Sequence, residues 1–216
     1  MITIAIDGPS GSGKSTVAKR LASMLNICHV NTGELYRSVA VYMKENNISA
    51  KDEEAVKKAM DQFNFKVDYI NGEQYNFLNG ECINHKLHTA EISELSAVYS
   101  PIAYVREKVK LIQRQIAKNF SVVMEGRNIT TDILPNAKNK FYLSASPETR
   151  ALRRQKELEE KGEKCTFKQV YNDILERDYR DTHRELGKLE LAKDAVYINT
   201  DNYSVDEVVA IIYSKL

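Results

Sequence analysis

Residues 2–16 read Ile2-Thr3-Ile4-Ala5-Ile6-Asp7-Gly8-Pro9-Ser10-Gly11-Ser12-Gly13-Lys14-Ser15-Thr16. A β-branched run turns through glycines into a lysine and two hydroxyls. Gly8 to Ser15 matches G-x-x-x-x-G-K-[ST] without exception, and it stands where that motif must stand, after a strand pattern and before a helical one beginning near Lys14. The physical reason for the residue types is direct. Glycines let the main chain curl so that successive N–H groups point inward, and the helix N-terminus behind them adds partial positive charge, which together make a concave anion site. Lys14 supplies a full charge for β- and γ-phosphates. Ser15 supplies a hydroxyl for Mg²⁺, a hard cation that keeps several waters and takes few protein ligands.

Working outward, short apolar runs recur at Ile2–Ile6, Ile27–Val30, Ser121–Met124, Lys140–Leu143 and Ala195–Ile198. They show little alternation, as expected of strands covered on both faces, and longer helical patterns separate them, so the fold class is α/β with a parallel sheet. Ser146-Pro147 places a hydroxyl before a proline, while Thr166…Gln169 and Ser204…Glu207 fit the capping box, so helices should begin near 147, 167 and 205. One stretch breaks the rhythm. Between about Phe63 and Ile83, aromatic and β-branched residues flank Asn-Gly at 71–72 and again at 79–80, which predicts a small inserted antiparallel sheet.

Composition bounds the function. The 216 residues are 43% hydrophobic and 28% charged, and 31 Lys+Arg against 30 Asp+Glu leave a net charge of +1. That balance argues against a protein built to coat nucleic acid or an anionic membrane. Apolar runs such as Val208 to Tyr213 fall far short of the roughly 20 residues that span a bilayer, and Met1 leads into Ile2 without a basic leader, so a cytoplasmic protein is expected. Cys28, Cys82 and Cys165 form no metal or disulfide spacing.

Among nucleotide-handling proteins, a GTPase needs an N-K-x-D motif, which is absent, and Val122-Val123-Met124-Glu125 meets the acidic strand-end pattern of oligomeric ATPases only weakly. Arginine is what the chain repeats. Arg37 follows the second strand, Arg106 lies in Tyr104-Val105-Arg106-Glu107, and Arg127 follows the third strand in Glu125-Gly126-Arg127-Asn128. Arg177, Arg180, Asp181 and Arg184 are spaced i, i+3, i+4 and i+7, on one side of an expected helix. Arg150, Arg153 and Arg154 form a second group after the fourth strand. Guanidinium forks match phosphate oxygens and keep their charge at any accessible pH. A surface ladder of Asp173–Arg177, Glu176–Arg180 and Arg177–Asp181 pairs is the competing reading.

Taken together, I-A-I-D-G-P-S-G-S-G-K-S-T, T-G-E-L-Y-R, V-V-M-E-G-R, S-P-E-T-R-A-L-R-R and E-R-D-Y-R-D-T-H-R resemble the bacterial cytidylate kinase family of the nucleoside monophosphate kinases, collinearly from residue 2 to the final helix. The resemblance implies a P-loop five-stranded parallel core flanked by helices, over 1–31, 119–148 and 189–216. A monophosphate-binding region would occupy about 32–118 with the β insert at about 63–83, and a helical lid about 150–188. It implies ATP and Mg²⁺, free nucleotides as partners, and a monomer with no nucleic-acid or membrane partner. Gly8, Pro9, Ser10, Gly11, Ser12, Gly13, Lys14, Ser15 and Thr16 would then hold ATP phosphates. Arg37, Arg127 and Arg184 would clamp the acceptor phosphate, with Lys14, Arg127, Arg154 and Arg184 as the catalytic charges. Arg177 and Asp181 would approach the sugar, and Thr32 and Tyr36 would join the acceptor site. Arg106 and a serine, Ser96 or Ser100, would read the pyrimidine.

The chain departs from the family pattern at four places. Asn31 replaces the acid before T-G, Asn128 the acid used against the cytosine amino group, and Thr130 a glycine. The family's prolines are missing from Glu185-Leu186-Gly187-Lys188-Leu189. An amide can donate or accept where a carboxylate only accepts, so Asn128 is expected to relax the choice between cytosine and uracil. Loss of charge at Asn31 is expected to weaken Mg²⁺ ordering, with Glu125 left to supply part of it. Another small-molecule kinase, or a module that binds ATP without turnover, are the alternatives.

Overall fold

The first strand runs straight into the glycine loop: β1 (Thr3–Asp7) has every residue from Ile4 onward buried. Such a strand can only sit inside a sheet. The computed structural model, which describes residues 1–70, 73–160 and 162–216, continues with α1 (Lys14–Leu25), β2 (Cys28–Asn31), α2 (Thr32–Glu45) and α3 (Glu53–Asp61). Then come β3 (Phe65–Ile70), β4 (Glu73–Leu78), β5 (Glu81–Cys82), a 3₁₀ turn at Asn84–Lys86, α4 (Ala90–Tyr99) and α5 (Ala103–Asn119). After β6 (Val122–Gly126) a π-helical turn covers Ile129–Ile133, followed by β7 (Asn139–Ser144), α6 (Pro147–Glu160), α7 (Phe167–His183), β8 (Val196–Asn199) and α8 (Val205–Tyr213).

Five strands form a parallel sheet in the order β2-β6-β1-β7-β8, and three form an antiparallel sheet in the order β3-β4-β5. The α/β architecture read from the sequence is therefore present. The chain divides into two compact units: residues 26–122 (with Met1), and residues 2–25 with 123–216. No described helix is long and apolar enough to cross a membrane.

In the second unit, β1 pairs with β7 from Ile4↔Asn139 to Asp7↔Tyr142, and β7 with β8 from Phe141↔Val196 to Ser144↔Asn199. Ile4, Ile6, Leu21, Phe141, Leu143 and Ile212 are fully buried there. Helices α6, α7 and α8 begin at 147, 167 and 205, and both expected capping boxes are formed in full. Each box satisfies orphan amide groups reciprocally, which is why the starts are fixed so sharply.

The first unit carries the insert. Strand β3 pairs with β4 from Phe65↔Leu78 to Ile70↔Glu73, and the Asn71-Gly72 turn expected between them lies outside the described residues. Asn79 and Gly80 turn β4 into β5 with φ of 50° and 86°, the mirror-type turn whose twist suits a two-residue hairpin. Val39, Met43, Val56, Met60, Leu87, Val105 and Val109 form the buried core beneath.

Candidate functional site: an anion nest and its arginines

The nest is built by β1, the loop after it and the first turn of α1. Gly8 has no room for a side chain, because a Cβ would lie 1.9 Å from the Leu143 carbonyl oxygen of β7. Gly11 takes φ +77°, and its added Cβ would touch Arg150 at 3.0 Å. Thr200 Oγ1 donates to the Ser12 carbonyl at 3.2 Å. The loop is thus held from outside by Leu143 and Thr200, beside the ends of the neighbouring strands.

Lys14 is 5% exposed, and its Nζ donates to the Pro9 carbonyl at 2.7 Å across the loop. Burial, then the positive charge of Arg127, pushes its pKa down to about 7, with Arg177 adding to the effect and Glu125 opposing it. Ser15 Oγ donates to Glu125 Oε1 at 2.6 Å, and Glu125 is 4% exposed at the end of β6. A hydroxyl beside a carboxylate is a donor set that suits a hard, water-keeping dication. The weak acidic signal at Glu125 therefore has a clear structural place.

Asp7 closes the floor of the nest. Fully buried, it accepts from Ile129 N at 2.9 Å, Thr130 N at 2.7 Å and Thr130 Oγ1 at 2.6 Å, which pins the π-turn after β6. Burial raises its pKa against these bonds. The threonine that stands in place of a glycine is thus a partner of the strand-end carboxylate.

Beside the nest, Arg127 Nε donates to Asp181 Oδ2 at 2.6 Å, while Arg184 Nη1 lies 3.7 Å from Asp181 Oδ1. Burial works against Asp181's charge, but Arg127, then Arg184 and Arg177, hold its carboxyl below the usual range. Lys14, Arg127, Arg177, Asp181 and Arg184 are brought together. The single helical stripe expected for the last arginines needs correcting at one point: α7 ends at His183. Arg184 is extended, with φ −66° and ψ 147°, and its Nε donates to the Gly187 carbonyl at 2.8 Å. It reaches Asp181 from beyond the helix.

The other arginine group divides. Arg150 is 3% exposed and holds Asp178 through both terminal nitrogens, at 3.0 and 2.6 Å, as well as the Ser10 and Ala145 carbonyls. Arg153 holds Thr200. Both brace the loop and the helices around it. Arg154 is exposed and pairs with Glu157 at 2.8 Å.

In the first unit, Thr32, Tyr36 and Arg37 stand on the opening turns of α2, directly after β2. Arg106, 6% exposed on α5, lies 5.6 Å over the Tyr36 ring and donates to the Ser100 carbonyl at 3.2 Å. Ser96, on α4, accepts the Ser100 amide through its carbonyl at 2.9 Å. Asn31 caps α2 by accepting from Gly33 N at 3.1 Å. A buried polar chain missed in the sequence supports that start. Gln74 Oε1 accepts from Asn31 N at 3.0 Å, Gln74 Nε2 donates to Asn76 Oδ1 at 2.8 Å, and Asn76 Nδ2 donates to Glu34 Oε2 at 2.8 Å. Gln74 and Asn76 share with Leu78 the inward face of β4, whereas the aromatic residues of the alternation, Tyr75 and Phe77, fall on the other face.

Comparison with known proteins agrees with this geometry. A family model described as cytidylate kinase matches residues 4–216. A protein named cytidylate kinase from Thermosipho melanesiensis is 47% identical over 95% of this chain and 92% of its own. One of the same name from Clostridium perfringens is 42% identical over 100% of this chain and 98% of its own. A crystal structure of an uncharacterized protein from Eubacterium ventriosum superposes with a TM-score of 0.55 at 18% identity, covering 100% of this chain and 98% of that one.

Proposed function

Because the chain belongs to the cytidylate kinase family, we propose that it transfers the γ-phosphoryl group of ATP to CMP or dCMP, giving ADP and CDP or dCDP, with UMP as the alternative pyrimidine acceptor. One observation carries the reading. Asp181 is set between Arg127 at 2.6 Å and Arg184 at 3.7 Å, and Lys14 is buried beside them, its pKa lowered first by that burial and then by the charges of Arg127 and Arg177. Cations crowded in this way repel one another until a polyanion arrives.

A phosphate monoester is largely dianionic at pH 7, its second pKa lying near 6, so the attacking oxygen needs no strong base. Positioning and charge stabilisation then carry the reaction, in keeping with an arginine-rich site. In this reading the loop from Gly8 to Thr16 cradles the donor phosphates through the N–H groups of its residues other than Pro9, which has none, and Lys14, fully charged once they bind, meets the β- and γ-oxygens. Arg37, Arg127 and Arg184 hold the acceptor phosphate, and Arg154 joins them at the transferring group. Arg177 and Asp181 take the sugar, while Thr32, Tyr36, Ser96, Arg106 and Asn128 take the base side. Ser15, with Glu125 behind it, would hold Mg²⁺, which when bound neutralises charge between the phosphates. The protein is proposed to act in the cytoplasm, as a monomer, on free nucleotides rather than on nucleic acid or membrane.

The test is an ADP-release assay over CMP, dCMP, UMP, AMP, shikimate and gluconate, with and without Mg²⁺. ADP release that depends on CMP or dCMP and on Mg²⁺ is expected. Release driven by a non-nucleotide acceptor, or ATP binding with no acceptor-dependent ADP, overturns the proposal.

A further inference from the structure

Asn128 follows Arg127 at the end of β6 and is 5% exposed. Its Nδ2 donates to Asp132 Oδ2 at 3.0 Å, across one turn of the π-helical segment whose backbone closes on the Asn128 carbonyl from Asp132 N at 3.0 Å and Ile133 N at 3.1 Å. The two edges of a carboxamide look alike by shape, and only the partners decide which is which. Here the partner decides. A carboxylate has no proton to give, so the edge facing Asp132 must be the NH₂ group and the oxygen must face the other way. Among the described residues no donor meets that oxygen.

We infer that Asp132 is a positioning residue for specificity: by holding the Asn128 amide through its nitrogen, it makes Asn128 present an acceptor to the base. This rests on the reading above that Asn128 faces the base. The consequence runs against the relaxed discrimination expected from the asparagine alone. A free amide could turn its oxygen toward the 4-amino group of cytosine or its nitrogen toward the 4-carbonyl of uracil. An amide pinned by Asp132 meets uracil oxygen to oxygen, with no proton between them. Turning it over would leave the Asp132 carboxylate facing an oxygen as well, so the penalty for uracil is felt on both sides of the amide. The pair Asn128–Asp132 then does with two residues what one carboxylate would do, and it selects a base bearing an exocyclic amino group.

The experiment compares kcat/KM for CMP and UMP in the wild type, Asp132→Asn, Asp132→Leu and Asn128→Leu, with thermal melts to confirm folding. The wild type is expected to prefer CMP. Asp132→Asn, which can accept or donate, and Asp132→Leu, which can do neither, are both expected to lower the CMP:UMP ratio about tenfold, the scale of one hydrogen bond. The change should appear in the KM of the acceptor, with the KM for ATP and kcat at saturating CMP within about twofold of wild type. If Asn128→Leu shifts the ratio and both folded Asp132 variants leave it unchanged, the inference is overturned while the base-side reading stands. If Asn128→Leu also leaves it unchanged, the base-side reading of Asn128 fails and takes the inference with it. A wild type that phosphorylates UMP as well as CMP overturns the inference directly, and one that phosphorylates neither overturns the functional proposal beneath it.

Discussion

Thr130 gives Asp7 both its amide and its hydroxyl, and Ile129 gives a third bond, so a carboxylate wholly removed from water is ionised or shared only on their terms. Taking away one donor leaves a buried acceptor that neither protein nor solvent can meet. Thr130→Val, which keeps the shape, is expected to cost about 1.5–3 kcal/mol, read as a lower urea midpoint at unchanged m-value. An unchanged midpoint would mean that Asp7 is held by its backbone donors alone. Arg127 belongs to the same scale with a different consequence. Arg127→Ala removes a cation proposed to face the transferring phosphate and also strips Asp181 of its nearest partner. A fall in kcat/KM for CMP equivalent to roughly 3–4 kcal/mol is expected, as for a lost oxyanion donor. Near wild-type turnover would remove Arg127 from the mechanism.

The element that links strand to helix after β1 shows how a ligand-ready loop weighs on stability. Unfolded, Lys14 keeps its proton up to its ordinary pKa of 10.5, whereas folded it releases it above about 7. Between those values unfolding takes up a proton, so stability rises with pH across that window, and below about 7 the full penalty is present. Lys14→Met is therefore expected to raise the Tm of the unliganded protein by at least about 2 °C at pH 6, on a scale of about 2–4 °C per kcal/mol at this size. The advantage should shrink toward pH 10, and ATP should no longer stabilise the variant. A lower Tm at pH 6 would contradict the burial penalty. This element was legible because its motif is local, and so were the starts of α6, α7 and α8, each decided by a hydroxyl and its neighbours within three residues. The end of α7 was not legible. Arg184 leaves the helix because its main chain is extended and its side chain turns back to Gly187. Nor was the fate of Arg150, whose partners Ser10 and Asp178 lie 140 and 28 residues away.

Across the whole molecule, the second unit is assembled from two stretches of chain, with the first unit's residues written between them. Periodicity could show the strands, but it could not show that Gln74, Asn76 and Glu34 would meet, since the partners come from different elements. The interrupted layout bears on how the protein comes into being. Gly8 lies so close to the Leu143 carbonyl that no side chain would fit there, and the Ser12 carbonyl takes its bond from Thr200, 188 residues further along. At about 5–20 residues per second of synthesis, the glycine loop leaves the ribosome on the order of ten to forty seconds before its last support exists. Nascent chains arrested before Thr200 emerges should retain no photocrosslinkable ATP, although every residue of the motif has already been translated, and released full-length chains should retain it. The newborn polypeptide would thus carry a complete phosphate-binding motif while having no nucleotide to hold, and would acquire its ligand only once the segment bearing Thr200 has been made.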